Sequence, residues 1–170
     1  MLSPLASALV FVETQWFYRR WWWLMLGATA LTLVPLLFAL NKPQGLKAAA
    51  VAGPLVLLVV AGLWLIRLHV RVDEMGIHYQ FTPFLNRWRH WPWNDFRQVQ
   101  PRTYSPLGDY GGWGIKGWPG NLAYNVWGEA GLQLVFQSGN RLLLGTQQPE
   151  ELRLVLVALH QADPTLPITL

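Results

Sequence analysis

Two long apolar runs, residues 21–40 and 48–66, are separated only by the stretch 41–47, and the second leads directly into an alternating pattern at Arg67. Each run is close to the ~20 residues that cross a hydrocarbon core of about 30 Å at ~1.5 Å per residue. Neither contains a charged side chain, and neither shows the polar stripe of a helix lying at a soluble surface. Pro35 and Pro54 fall inside the runs, a placement that spanning helices tolerate better than others do. Residues 21–66 are therefore expected to form a two-helix transmembrane hairpin. With nothing between Ile66 and Arg67, the following domain is expected to be held against the bilayer.

A cleaved signal peptide is the rival reading of the first run. Ala28-Thr29-Ala30 has the small-x-small pattern, but residues 31–40 stay apolar beyond it, whereas a signal's apolar core ends before its cleavage site. Upstream, Leu5, Leu9, Val12 and Trp16 recur at helical spacing, so residues 1–20 are expected to form an amphipathic interfacial segment, or else to extend the first helix. An even number of spans puts both termini on one side. Arg19 and Arg20 before the pair and Arg67 and Arg71 after it outweigh Lys42 and Lys47 between, which favours a cytoplasmic domain, and Trp21, Trp22, Trp23 and Trp64 supply an aromatic belt. The absence of cysteine excludes disulfides and a thiolate metal site. The net charge of +4 comes largely from the arginines beside the apolar runs, which points to anionic headgroups rather than nucleic acid.

From Arg67 the period becomes two: Leu68, Val70 and Val72 alternate with Arg67, His69 and Arg71. Asp73-Glu74-Met75-Gly76 reads as a turn, followed by strands over 77–82, 86–91 and 96–104, the last interrupted at Pro101. After the glycine-rich stretch 105–121, strands are expected over 122–127, 131–137 and 140–145. Gln148-Pro149-Glu150-Glu151 then opens a helix whose apolar face is Leu152, Val155, Leu156 and Leu159. About seven short strands and one closing helix make a mainly-β, PH-like antiparallel sandwich or barrel over residues 67–162, with a tail at 163–170; another small β-barrel would share the same periods.

Several motifs carry a resemblance. Tyr104-Ser105-Pro106, Tyr110-Gly111-Gly112-Trp113-Gly114-Ile115-Lys116, Ala123-Tyr124-Asn125-Val126, Leu143-Leu144-Gly145-Thr146-Gln147 and the N-terminal Phe11-Val12-Glu13-Thr14-Gln15 resemble bacterial two-helix membrane proteins with a C-terminal PH-like domain. Lys116 stands where arginine is expected in such proteins, a change that removes planar bidentate contacts. The resemblance implies a multi-pass protein of the bacterial inner membrane with its domain on the cytoplasmic side. It implies no activity.

Gly112-Trp113-Gly114-Ile115-Lys116-Gly117 formally matches G-x-G-x-x-G, but strands flank it and Pro119-Gly120 follow, so no helix can open there as dinucleotide binding requires. The Walker pattern fails too, because Gly117 follows Lys116. The loop is then either a folded scaffold with Trp113 as its lid or a ligand-binding loop. His69 and His78 are not joined by enough ligands for a metal, no Ser-His-Asp set is legible, and Asp95 and Asp109 suit turns. Arg87, Arg89, Trp91 and Trp93 share one strand face with Arg97 and Arg102 nearby; this suits anionic headgroups, unless the tryptophans are core.

The expectation is a non-enzymatic interaction or scaffolding module without cofactor or metal. Its partners would be membrane lipids and a membrane protein, and its contacts Tyr110, Trp113, Lys116, Arg87 and Arg89. Self-association through the small pair Ala49 and Gly53 is a further option. The alternative is a lipid- or small-molecule-handling protein whose loop closes over its ligand; a basic, partly apolar pocket beneath Trp113 would mark it.

Overall fold

The computed structural model describes residues 10–39 and 45–170. They divide into two units: Trp16–Ile66, and Arg67–Leu170 together with the N-terminal residues up to Gln15.

The first unit is a helix pair, α1 (Phe17–Ala39) and α2 (Gly45–Leu65). The Phe17 N–H donates to the Ile66 carbonyl at 3.1 Å, and Tyr18 stacks on Trp64 with centroids 4.7 Å apart, tying the open ends of the pair together. Leu31, Leu55, Leu57 and Leu58 are exposed. The expected transmembrane hairpin is corrected here: among the described residues, no helix is long and apolar enough to cross a membrane. Moreover, α1 begins at Phe17, so Arg19 and Arg20 occupy its first turn instead of preceding it. The multi-pass inner-membrane placement and the cytoplasmic orientation rested on those spans and fall with them. Leu5, Leu9 and Lys42, and the side chains of Pro35 and Ala49, lie outside the described residues.

The second unit contains two sheets. β1 (Phe11–Trp16), β2 (Arg67–Asp73), β3 (Gly76–Thr82) and β4 (Leu85–Pro92) make one, in the order β1-β2-β3-β4. β5 (Phe96–Thr103), β6 (Gly114–Trp118), β7 (Asn121–Asn125), β8 (Ala130–Phe136) and β9 (Arg141–Thr146) make the other, in the order β5-β8-β9-β7-β6. Short α3 (Pro106–Tyr110) follows β5, and α4 (Pro149–Ala162) follows β9. The expected all-antiparallel PH-like sandwich is corrected to a mixed α/β arrangement. β8 pairs on one side with β5 and on the other with β9, and β9's remaining edge takes β7 in parallel.

Residues 11–16, expected to lie in a membrane interface, form β1. Phe11, Glu13 and Gln15 are buried while Val12 and Thr14 are exposed, the period of a strand with one inward face. The core between the sheets takes Phe11, Leu68, Val70, Val72, Ile77 and Phe81 from one side and Val99, Leu132, Leu134, Leu142 and Leu144 from the other. In β5 the register slips between Phe96 and Gln98; Arg97 is the extra residue, which lets both Phe96 and Val99 point inward.

Pro149 occupies the first turn of α4, Glu150 and Glu151 complement its dipole, and Leu152, Leu156 and Leu159 are buried. Each such leucine is worth roughly 1.5–3 kcal/mol. The tail is used as well: Val99 N–H donates to the Pro167 carbonyl at 2.7 Å and Thr169 N–H to the Val99 carbonyl at 2.8 Å, covering the edge of β5.

Candidate functional site

The motif residues converge on one another. The Asn125 side chain, fully buried, donates to Tyr104 Oη at 2.8 Å, and its Oδ1 accepts the Gly114 N–H at 2.8 Å. A Cβ on Gly145 would meet the Asn125 Cβ at 2.7 Å, so the close approach there requires glycine. The Gly145 carbonyl accepts from Gln15 Nε2 at 2.6 Å. One residue on, Thr146 Oγ1 donates to Glu13 Oε2 at 2.7 Å and Gln147 N–H to Glu13 Oε1 at 2.8 Å. At α3, Ser105 caps the helix by accepting the Gly108 N–H at 3.1 Å. The Tyr110 hydroxyl donates to Gln133 Oε1 at 3.3 Å, and Tyr104 and Tyr110 meet edge to face at 5.9 Å. Burial drives the Tyr104 phenol up to about 12. These groups are enclosed and most are hydrogen-bonded to one another, which is the character of a folding lock; Gln15 Oε1 is buried without a hydrogen-bond partner among the described residues.

Of the loop residues singled out in the sequence, Tyr110 is buried in that lock. Trp113 stacks on Trp127, with centroids 5.1 Å apart and planes at 15°. Lys116 is exposed on edge strand β6. Gly114 opens β6, and a Cβ on Gly117 would meet the Asn121 carbonyl oxygen, so the glycine pattern serves a tight β6–β7 hairpin. Trp113→Ala is expected to lower stability by about 1 kcal/mol through the lost stack, read as a shift of the urea midpoint.

A cavity of about 250 Å³ lies elsewhere, between the two sheets, with Tyr79, Trp91, Tyr124, Phe136, Leu122 and Leu142 among its lining residues. Tyr79 and Tyr124 face each other across the sheets at 5.4 Å, and Trp91 meets Phe136 edge to face at 4.9 Å. The aromatic positions follow from register: Tyr79 pairs with Arg89 and Ile77 with Trp91, so alternate residues of β3 and β4 present the same face. Burial raises the Tyr79 phenol, an effect that Trp91 and the charge of Arg89 oppose. Burial also raises Tyr124, joined by Tyr79 and again opposed by Arg89. Arg89 is thus the cation acting on both phenols, and among the described residues no carboxylate pairs with it.

The structure thereby separates the two groups of sequence candidates. Tyr110, Trp113 and Lys116 lie along α3 and β6, whereas Arg87 and Arg89 lie exposed on β4 in the other sheet. Trp93, taken with Trp91 as one face, is in fact in a short 3-10 turn after β4; it is buried and its indole donates to the Asp73 carbonyl at 3.0 Å. Tyr79 and Phe136 were missed as site residues because they read simply as apolar positions of strands. Their convergence depends on how the two sheets face. Among the described residues, no group of His, Asp and Glu side chains could hold a metal ion. No known family model matches the chain, and no curated protein or solved structure shows significant similarity to it.

Proposed function

We propose that this chain is a non-catalytic binding module that takes a small ligand with an aromatic or branched apolar body and an anionic group. The observation that carries this reading is the inter-sheet cavity, where four aromatic rings and Arg141 border about 250 Å³ and Arg89, opposite Tyr79 in the sheet, has no carboxylate partner among the described residues. A volume below the ~300–1,000 Å³ of most drug-sized sites suits a compact ligand. Ring faces and edges supply the apolar contact, and the guanidinium supplies a planar, charge-assisted contact to a carboxylate or similar group. A small ligand is favoured over a macromolecular partner because Tyr79 and Tyr124 are buried between the sheets and face each other there.

The test uses 2-naphthoate as the probe, followed by two-dimensional ¹H–¹⁵N NMR on the intact chain. Saturable shifts centred on the Trp91 indole and on Gly120 and Ser138 at the cavity rim are expected. Arg89→Gln should weaken binding about tenfold, equivalent to ~1.4 kcal/mol, while leaving the rest of the spectrum in place because Arg89 is exposed. Absence of saturable shifts at those residues would refute the pocket, and undiminished affinity in Arg89→Gln would refute the part given to Arg89 in holding the anionic group.

A further inference from the structure

The outward face of the five-stranded sheet carries a second recess of different chemistry. Gln98, Gln100 and Arg102 of β5 stand opposite Val135, Gln133 and Gly131 of β8, and Val135 in turn stands opposite Arg141 of β9. These residues therefore share one face, and of them only Arg141 also borders the aromatic cavity. Two adjoining hollows of about 150 and 200 Å³ occupy it, both bounded by Arg102, Gln133 and Arg141; the smaller is also bounded by Arg97 and the larger by Asp109 and Tyr110.

The floor is built rather than incidental. Gln133 is buried, and its Nε2 donates to the Leu134 and Leu142 carbonyls at 3.3 Å each, which fixes the amide and leaves Oε1 to accept from Tyr110 Oη at 3.3 Å and Arg102 Nη1 at 3.5 Å. Arg102 is also held from the side, by Asp109 Oδ2 at 2.7 Å, and that same oxygen accepts the Ser105 N–H at 3.2 Å. One guanidinium is thus pre-positioned. Arg97 and Arg141 have no carboxylate partner among the described residues. The recess therefore gathers three cations, Arg97, Arg102 and Arg141, against one carboxylate, Asp109. Arg102, Arg141 and Tyr110 border the same hollow; burial raises the Tyr110 phenol, Arg102 and Arg141 act against that rise, and Asp109 adds to it.

We propose that this recess binds a phosphate group, carried either by a soluble compound or by a lipid headgroup. Planar guanidinium forks match phosphate oxygens in pairs. The polar hollows suit a tetrahedral oxyanion, unlike the aromatic cavity of the other face. Tyr79, Arg89 and Tyr124 of the aromatic pocket take no part in this recess; Arg141 borders both sites, so Arg97, which borders only this recess, separates the two.

Isothermal titration of the intact chain with inorganic pyrophosphate, at ionic strength held constant with sodium chloride, tests the soluble source. Co-sedimentation with phosphatidylcholine vesicles containing phosphatidic acid tests the lipid source. Arg97→Gln and Arg141→Gln, each at a position without an ion pair among the described residues, are expected to weaken whichever probe binds by about tenfold. Arg87→Gln on the other sheet should leave it unchanged. Binding of one probe with that pattern supports the proposal and identifies the source. No binding of either probe, equal weakening by Arg87→Gln, or equal affinity for citrate in place of pyrophosphate overturns it.

Discussion

Replacing Asn125 by alanine is expected to lower the unfolding free energy by about 3 kcal/mol, one of the largest effects of any single substitution outside the apolar core. The side chain is fully buried and serves two partners at once, Tyr104 Oη and the Gly114 N–H, each at 2.8 Å. Alanine orphans both, and an unsatisfied buried group costs roughly 1–3 kcal/mol. No relaxation can readily fill the gap, because Gly145 already sits where a Cβ would touch Asn125. Tyr104→Phe removes only the shared hydroxyl and should cost less. The double variant should then lose less than the sum of the two, as residues of one network do. Urea unfolding of the four proteins measures this; a cost below about 1 kcal/mol for Asn125→Ala, or strict additivity, would mean that the bonds are not energetically coupled.

Much of the β-rich unit was legible in the sequence because its inward positions are apolar. Leu68, Val70 and Val72 alternate with polar neighbours in the sequence and lie in β2 with that face buried. Leu152, Leu156 and Leu159 give α4 its buried stripe. β1 was illegible for the opposite reason. Its inward positions after Phe11 are Glu13 and Gln15, whose burial makes sense only beside Gly145, Thr146 and Gln147, more than a hundred residues away in the chain. A period of two with polar residues at the inward sites carries no hydrophobic signal. The parallel β7–β9 pairing was equally hidden, since alternation reports which face a residue takes and not which strand lies beside it.

The candidate site shows the same division. The glycine-rich motif drew attention as a ligand loop because its composition is unusual, yet Tyr110 is bonded to Gln133, Asn125 to Tyr104, and Gly145 packs against Asn125. Arg89 was visible as a basic residue interleaved with tryptophan. Its neighbours Tyr79 and Tyr124 come from other strands, and only the facing of two sheets turns them into a cavity.

Glu13→Ala is expected to cost about 2–3 kcal/mol, because it leaves the Thr146 hydroxyl and the Gln147 N–H without their acceptor. The same carboxyl gives the protein a pH dependence of unusual sign. Burial raises Glu13 above its ordinary value of 4.5, outweighing the hydrogen bonds from Thr146 and Gln147 that favour the charge. The native state therefore holds a proton over a range in which the unfolded chain has lost it. Stability falls as pH rises from about 4.5 through the folded value.

Asp73 contributes in another window. Burial acts upward on it, but the Met75 N–H, Arg71 and His78 together hold it below 3.8, so its contribution is lost only as pH falls through that lower value. His69 is held below 6.5, first by burial and then by the charge of Arg67, so stability gained through it rises with pH up to about 6.5. Comparing the parent chain with Glu13→Gln isolates the carboxyl, since both proteins keep Asp73 and His69. The glutamine is nearly isosteric but offers one acceptor oxygen for two donors, so a loss of about 1 kcal/mol near pH 4.5 is expected. Above that pH the gap between the two proteins should narrow, because only the parent must lose a proton. Urea titrations at a series of pH values decide the matter: a gap that widens as pH rises would show that the folded carboxyl ionises below 4.5, with its hydrogen bonds stronger than its burial.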